Sequence, residues 1–432
     1  MPILNWIGKE QVVNHDEEVP FRLLRKVKSL SLEENSQNLI IHGDNLEALK
    51  ALMPYYHGKV KCIYIDPPYN TGNEGWVYND KVNSPKIKKW LGKVVGGESE
   101  DLCRHDKWLC MMYPRLKLLR DLLSDTGVIF ISIDDNEQSN LKQILDEIFG
   151  QDNFISQLIW KKKAGGGSDA RYFAQDHEYI LVYAKDEKLQ EKYYVELSES
   201  LKKDYKYRDS NFSKLGPYKR KNLYQTGIDD NRPNLRYAIE CPDGKKVLPP
   251  TIWRWSKETF LQAKSEDKID FVKDRKGNWQ IFTKMYLYDE GGQEYKIKPR
   301  SILLDVGLTK DGNVDLKDLF DNEKPFNYPK PIKLIKYLIS IVSKSNDLIL
   351  DSFAGSGTTA HAVLQLNLED NMNRNFILIE MEDYAKEVTA ERIKRVIQKQ
   401  GYEVGFEFCE LDKPLSFFEM FVCKIFIVHE RC

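Results

Sequence analysis

Lys61-Cys62-Ile63-Tyr64-Ile65-Asp66-Pro67-Pro68-Tyr69 begins as a largely apolar run and ends in a carboxylate, two prolines and an aromatic ring. A short run rich in apolar residues reads as a buried strand. Asp66 then stands at the strand's carboxyl end, where open α/β sheets hold their ligands. The prolines fix φ and lack N–H donors, so the loop is stiff and offers carbonyl oxygens without competing donors. Asp66 and the carbonyl of Pro67 can each accept one N–H of an exocyclic amine on a planar base, and Tyr69 can stack on that base. The other reading is a proline-rich turn after a core strand, capped by Asp66. A second stretch bears on the choice.

Leu348-Ile349-Leu350-Asp351-Ser352-Phe353-Ala354-Gly355-Ser356-Gly357-Thr358-Thr359 reads as a buried strand, a glycine loop and a helix start. Glycines let a ligand approach the backbone closely. The next apolar run, Asn375 to Ile379, ends on Glu380, an acid placed to hold ribose hydroxyls. No Gly-Lys-Ser/Thr follows the loop, so it is neither a P-loop nor the full dinucleotide pattern. An adenosyl ligand without phosphate fits better, because the helix start at Thr358 offers N–H groups and positive partial charge to a carboxylate. Taken alone, the loop is equally an ordinary strand-to-helix turn. In a parallel sheet, however, both loops leave the same edge, and Asp66 and Gly355 are expected to be neighbours.

Together these residues resemble the amino-methyltransferases of DNA, which carry an Asp-Pro-Pro-Tyr loop and a Phe-x-Gly-x-Gly loop. Catalytic loop first, then a long insertion, then the cofactor loop is the order of the beta group, and the modification subunits of type III restriction systems look most similar. Flanking stretches agree: Ile41-His42-Gly43-Asp44-Asn45-Leu46, Asn70-Thr71-Gly72-Asn73, Gly127 to Asp135, and His177-Glu178-Tyr179-Ile180-Leu181-Val182-Tyr183. The resemblance implies a circularly permuted Rossmann-like α/β fold, a doubly wound mixed sheet with an inserted target-recognition domain. The expected divisions are 1–185 for the first catalytic part, 186–322 for the insertion, 323–400 for the second catalytic part and 401–432 for a C-terminal tail.

The implied activity is transfer of a methyl group from S-adenosylmethionine to adenine N6 in double-stranded DNA after the base is flipped out, within a restriction-modification system. Asp66, Pro67, Pro68 and Tyr69 match the base-binding motif. Asp351, Phe353, Gly355, Gly357 and Thr358 match the cofactor loop, and Glu380 the ribose-binding acid. Asp44 is either part of the cofactor pocket or a helix N-cap before Leu46-Glu47-Ala48-Leu49. Lys330-Pro331 resembles the family's lead-in to its cofactor half, with Pro331 equally suited to a helix N1 position. Methylation of cytosine N4 is the nearest alternative, and Asp rather than Ser before Pro-Pro-Tyr favours adenine. A non-catalytic DNA-recognition subunit is a further one, against which Asp66, Tyr69 and the glycine loop argue. A covalent thiol route is disfavoured because none of the seven cysteines follows a proline. A zinc deaminase would need Pro-Cys-x-x-Cys, which is absent.

The 432 residues leave room for two or three domains. The odd cysteine count, without Cys-x-x-Cys, favours neither a disulfide framework nor a structural zinc site, so no metal is expected and a reducing cytoplasm fits. The amino terminus has no long apolar core of a signal peptide or membrane anchor. Net charge is only −1, yet cations cluster at Lys161-Lys162-Lys163, Lys202 to Arg208 and Tyr218 to Lys221, interleaved with aromatics in the last two. Such stretches neutralise phosphates and stack on bases, or form a solvated face. Trp253 and Trp255 read as core. Double-stranded DNA is the expected partner, with a homodimer and a restriction (cleavage) subunit left open. The apolar Phe417 to Cys423 is too short to span a bilayer.

Overall fold

A computed structural model of the chain describes residues 3–34, 36–71, 101–165, 170–225 and 232–415, with side chains from 104 onward in the helix that opens at Asp101. Gly72-Asn73, Gly166-Gly167 and Phe417 to Cys423 lie outside the described residues. Two compact units emerge, one holding the described residues up to Tyr193 and from Arg300 on, the other spanning Tyr194–Pro299.

In the first unit ten strands form a mixed sheet. They are β1 (Arg22–Lys26), β2 (Leu39–His42), β3 (Val60–Ile65), β4 (Leu123–Ile133), β5 (Phe154–Lys161), β6 (His177–Ala184), β7 (Ile302–Leu303), β8 (Leu348–Asp351), β9 (Asn375–Glu380) and β10 (Glu407–Pro414). Their spatial order is β1-β10-β2-β9-β8-β3-β4-β6-β5-β7. From β10 to β4 the strands run parallel. β6 is antiparallel to β4 and β5. The late strands β8 and β9 lie between the early strands β2 and β3, which is the permuted order.

Burial on both faces explains the near-continuous apolar runs. Side chains alternate along a strand, so Ile63 and Ile65 pack with α1 (Asn45–Tyr56), α2 (Asp101–Leu122) and α3 (Gln138–Phe149). Cys62 and Tyr64 point the other way, into the core shared with α4 (Ile332–Val342), α5 (Thr358–Asp370) and α6 (Glu391–Gln400). Helix α4 fits that face because Leu334, Ile335, Leu338, Ile339 and Val342 form one buried stripe. No helix among the described residues is long and apolar enough to cross a membrane.

The expected division of the chain shifts at three places, the first being residues 186–193, which fall in the first unit. Residues 300–322 belong to the first unit rather than the insertion: β7 pairs with β5, and Leu303 and Val306 pack with Leu158 and Trp160. Residues 401–415 are no appended tail, since β10 pairs with β2 and buries Phe406 and Phe408. The latter two segments are short, and what places them is a core contributed by distant residues.

The second unit has an antiparallel three-stranded sheet with Trp279–Tyr286 between Tyr218–Asn222 and Ile269–Lys273. Its core holds Leu223, Ile239, Trp253, Phe260, Ile269 and Ile281, with Trp255 packed at the edge. Asp274 Oδ1 accepts the N–H groups of Lys276 and Asn278 and so closes the turn at Arg275-Lys276-Gly277-Asn278. Part of the basic clustering is neutralised within the unit: Lys202 pairs with Glu294 at 3.0 Å and Arg220 with Asp270 at 2.7 Å. Tyr205 and Tyr218 are buried, whereas Lys203, Lys206, Arg208 and Lys221 are exposed.

Candidate active site

β3 and β8 are adjacent parallel strands, with Ile63 opposite Leu350. Asp66 and the glycine loop therefore leave the sheet at one edge and open into a single cavity of about 600 Å³. Asp66, Pro67, Pro68 and Tyr69 line one part of it, and Asp351, Phe353, Gly355, Thr358 and Glu380 another. The volume lies within the range of small-molecule sites.

The acidic end is a dense polar set. Lys330 Nζ donates to Oδ1 and Oδ2 of Asp66, each at 2.8 Å, and to Tyr69 Oη at 2.9 Å. Tyr69 Oη donates in turn to Glu178 Oε2 at 2.9 Å. Lys162 pairs with Glu178 Oε1 at 3.1 Å, and Lys330 lies 3.4 Å from Oε2. Trp108, fully buried in α2, donates from Nε1 to the Pro68 carbonyl at 2.7 Å and so anchors the loop. Burial pushes the Asp66 carboxyl up while the charge of Lys330 opposes it. For Glu178 burial also acts upward, but Lys330 and Lys162 together bring it below the usual range. Burial, with Asp66 and Glu178 nearby, holds the Tyr69 phenol well above its ordinary value, so it stays neutral.

At the other end the glycine loop folds back on Glu380. Gly355 N donates to Glu380 Oε2 at 2.8 Å, and Oε1 accepts from Met381 N at 2.8 Å and Glu382 N at 3.1 Å. Asp351 Oδ1 accepts from Phe353 N at 3.0 Å, and Thr359 Oγ1 donates to its Oδ2. Burial pushes both carboxyls up to about 7. Gly355 has φ of 52°, and a Cβ there would lie 3.2 Å from Phe326 Cζ. Phe326 meets Tyr384 edge-on with ring centroids 5.2 Å apart, and both rings line the cavity with Phe353.

Two of the expected residues are not among the described residues lining the cavity. Asp44 is the first of them. Its Oδ1 accepts from Leu46 N at 2.9 Å and Glu47 N at 3.2 Å, and Arg115 lies 3.1 Å from Oδ2, so it caps α1. Gly357 is likewise absent from the described lining; it makes the turn, its N–H reaching the Ala354 carbonyl at 2.8 Å. From the sequence, Phe326 and Tyr384 carried no signal, Glu178 stood out only within a flanking stretch, Lys162 only within a basic cluster, and Lys330 only as a lead-in. For Glu178 a signal existed: a carboxylate inside an otherwise apolar strand needs a partner.

Residues 60–391 match the sequence profile of a family described as DNA methylase. The chain belongs to that family, whose methyl donor is S-adenosylmethionine. It is similar to the Mod subunit of the type III restriction-modification enzyme StyLTI of Salmonella typhimurium, 36% identical over 86% of this chain and 58% of that one. The Mod subunit of EcoP15I from Escherichia coli is 34% identical over 94% of this chain and 67% of its own. The type II methyltransferase M.KpnI of Klebsiella pneumoniae is 31% identical, covering 82% of this chain and 83% of its own. The chain thus spans between just over half and two thirds of the two Mod subunits.

Proposed function

We propose that the protein transfers the methyl group of S-adenosylmethionine to N6 of an adenine flipped out of double-stranded DNA, as the modification component of a restriction-modification system. The observation that carries this reading is the shared cavity at the carboxyl edge of β3 and β8, with hydrogen-bond acceptors at one end and a glycine loop with a buried acid at the other. S-adenosylmethionine, when bound, would supply an electrophilic methyl on a sulfonium centre as the group the amine nitrogen accepts. Asp66 and the Pro67 carbonyl hold the amine, and Tyr69 stacks on the base. Asp66 takes the proton after nitrogen becomes cationic. The bare backbone of Gly355 gives the cofactor close approach, Glu380 receives its ribose hydroxyls, and the start of α5 at Thr358 faces its carboxylate. Phe353 supplies an apolar wall, Asp351 fixes the loop through Phe353 N and Thr359, and Gly357 sets its turn. Catalysis comes from positioning and from charge stabilisation at the amine. The second unit, Tyr194–Pro299, is read as the target-recognition part. A cleavage subunit and a second copy of the chain are the partners such a modification component would take, read by mass measurement of the assembled complex.

Incubation with duplex DNA and methyl-labelled cofactor, followed by nucleoside analysis, should yield N6-methyladenine. The variant Asp66→Ala should lose activity by about 10²-fold or more while binding cofactor as before. N4-methylcytosine as the product, or normal turnover by the variant, contradicts the reading.

A further inference from the structure

Lys330 Nζ stands against the acceptors that the proposed amine would use. It lies 2.8 Å from both Asp66 oxygens, 2.9 Å from Tyr69 Oη and 3.4 Å from Glu178 Oε2. An ammonium offers three N–H donors and no acceptor, so it satisfies the set as an amine would. Its side chain is 12% exposed, that of Asp66 27%. The lysine is held from behind. The helix Thr309–Lys317 passes so close that a Cβ on Gly312 would lie 2.2 Å from the Pro329 carbonyl oxygen, and Asp315 Oδ2 accepts from Ile332 N at 3.1 Å.

This inference rests on the reading of the cavity as a methyl-transfer site: we propose that Lys330 is a positioning residue for the reaction, orienting Asp66 and keeping it an ionised acceptor for the entering amine. A carboxylate enclosed without a counter-ion takes up a proton, and the protonated acid loses acceptor capacity. A carboxylate has about four lone-pair sites, so the two bonds from Lys330 leave room for the amine. When the new N–CH₃ bond forms and the S–CH₃ bond breaks, the nitrogen's proton passes to Asp66. Lys330 then keeps a carboxylate partner in Glu178, which Lys162 also neutralises. The other titratable groups around the set are Tyr64 and Tyr69 beside Asp66, Asp351 at the end of β8 and Asp134 after β4.

The test is the pH dependence of single-turnover methyl transfer to a duplex oligonucleotide by wild type, Lys330→Met, Lys330→Arg and Glu178→Gln, with cofactor affinity measured alongside. An opposite charge lowers a carboxylate by about 1–3 pH units. The acid limb of Lys330→Met should therefore move up by that amount, with activity lost on its acid side and recovered toward alkaline pH. Lys330→Arg should keep the wild-type limb. Glu178→Gln should move it down, because Glu178 raises Asp66 by like-charge repulsion. This last arm decides the matter if Lys330→Met does not fold, as judged by cofactor binding. Because the groups are coupled, each limb belongs to the set. Limbs that coincide with wild type, at normal or uniformly reduced rates, overturn the role of Lys330 alone. Wild-type protein without transfer at any pH overturns the site reading together with it.

Discussion

Glu380 accepts N–H groups from Gly355, Met381 and Glu382, yet burial still pushes its carboxyl up to about 7. Ribose hydroxyls donate more strongly to the ionised form than to the neutral acid. Cofactor affinity should therefore rise as pH increases through about 7, and Glu380→Gln should be weaker at high pH and flat across that range. Calorimetric titration at several pH values checks this, and a pH-dependent affinity in the variant would assign the effect elsewhere, Asp351 being the neighbouring acid pushed up to about 7. The position of Glu380 at the cavity was legible because an acid closing the apolar run after a glycine loop stands at the same strand edge as that loop. Asp44 was ambiguous, since a carboxylate before a helix is an equally good N-cap, and its two bonds to Leu46 N and Glu47 N place it in that role.

At the scale of elements, the parallel pairing of β3 with β8 positions the two loops, while the helix Thr309–Lys317 positions Lys330. Gly312 is the point of closest approach, with the Pro329 carbonyl oxygen 2.2 Å from where a Cβ would sit. Backbone cannot yield as a flexible side chain does, so Gly312→Ala should displace the 329–331 segment. Overpacking of this kind costs about 1–3 kcal/mol. The expected outcome is a lower midpoint in chemical denaturation and a reduced methyl-transfer rate, with cofactor affinity little changed because Gly355 and Glu380 lie on other elements. Wild-type stability and rate in this variant would contradict the account. The sequence marked Lys330 only by its place before a proline and a helix, because nothing local indicates which cavity a side chain enters.

At the scale of the molecule, a chain with net charge −1 would meet the DNA of the proposed function through local cation density rather than overall attraction. In the second unit Lys206 and Lys221 are exposed, whereas Lys202 and Arg220 are tied to Glu294 and Asp270. Lys206→Ala and Lys221→Ala should each weaken binding to duplexes of any sequence and lower the slope of log affinity against log salt by about 1. Lys202→Ala should change that slope less. Fluorescence anisotropy across a salt series measures it, and identical slopes for all three variants would remove the distinction.

The local pattern alone determined that β3 and β8 are buried strands and that a stiff acidic loop follows one and a glycine turn the other. Those features are written in apolar periodicity, proline and glycine, which act over a few residues. Tertiary structure decided which charges meet. Asp66, Glu178, Lys162 and Lys330 come from four separate segments, brought together by the parallel pairing of β3 with β4, the antiparallel pairing of β6 with β4 and β5, and the helix Thr309–Lys317 behind Lys330. It also drew Glu407–Pro414 into the sheet beside β2. That segment has no fixed place until a core built from distant residues offers Phe406, just before the strand, and Phe408 within it somewhere to be buried.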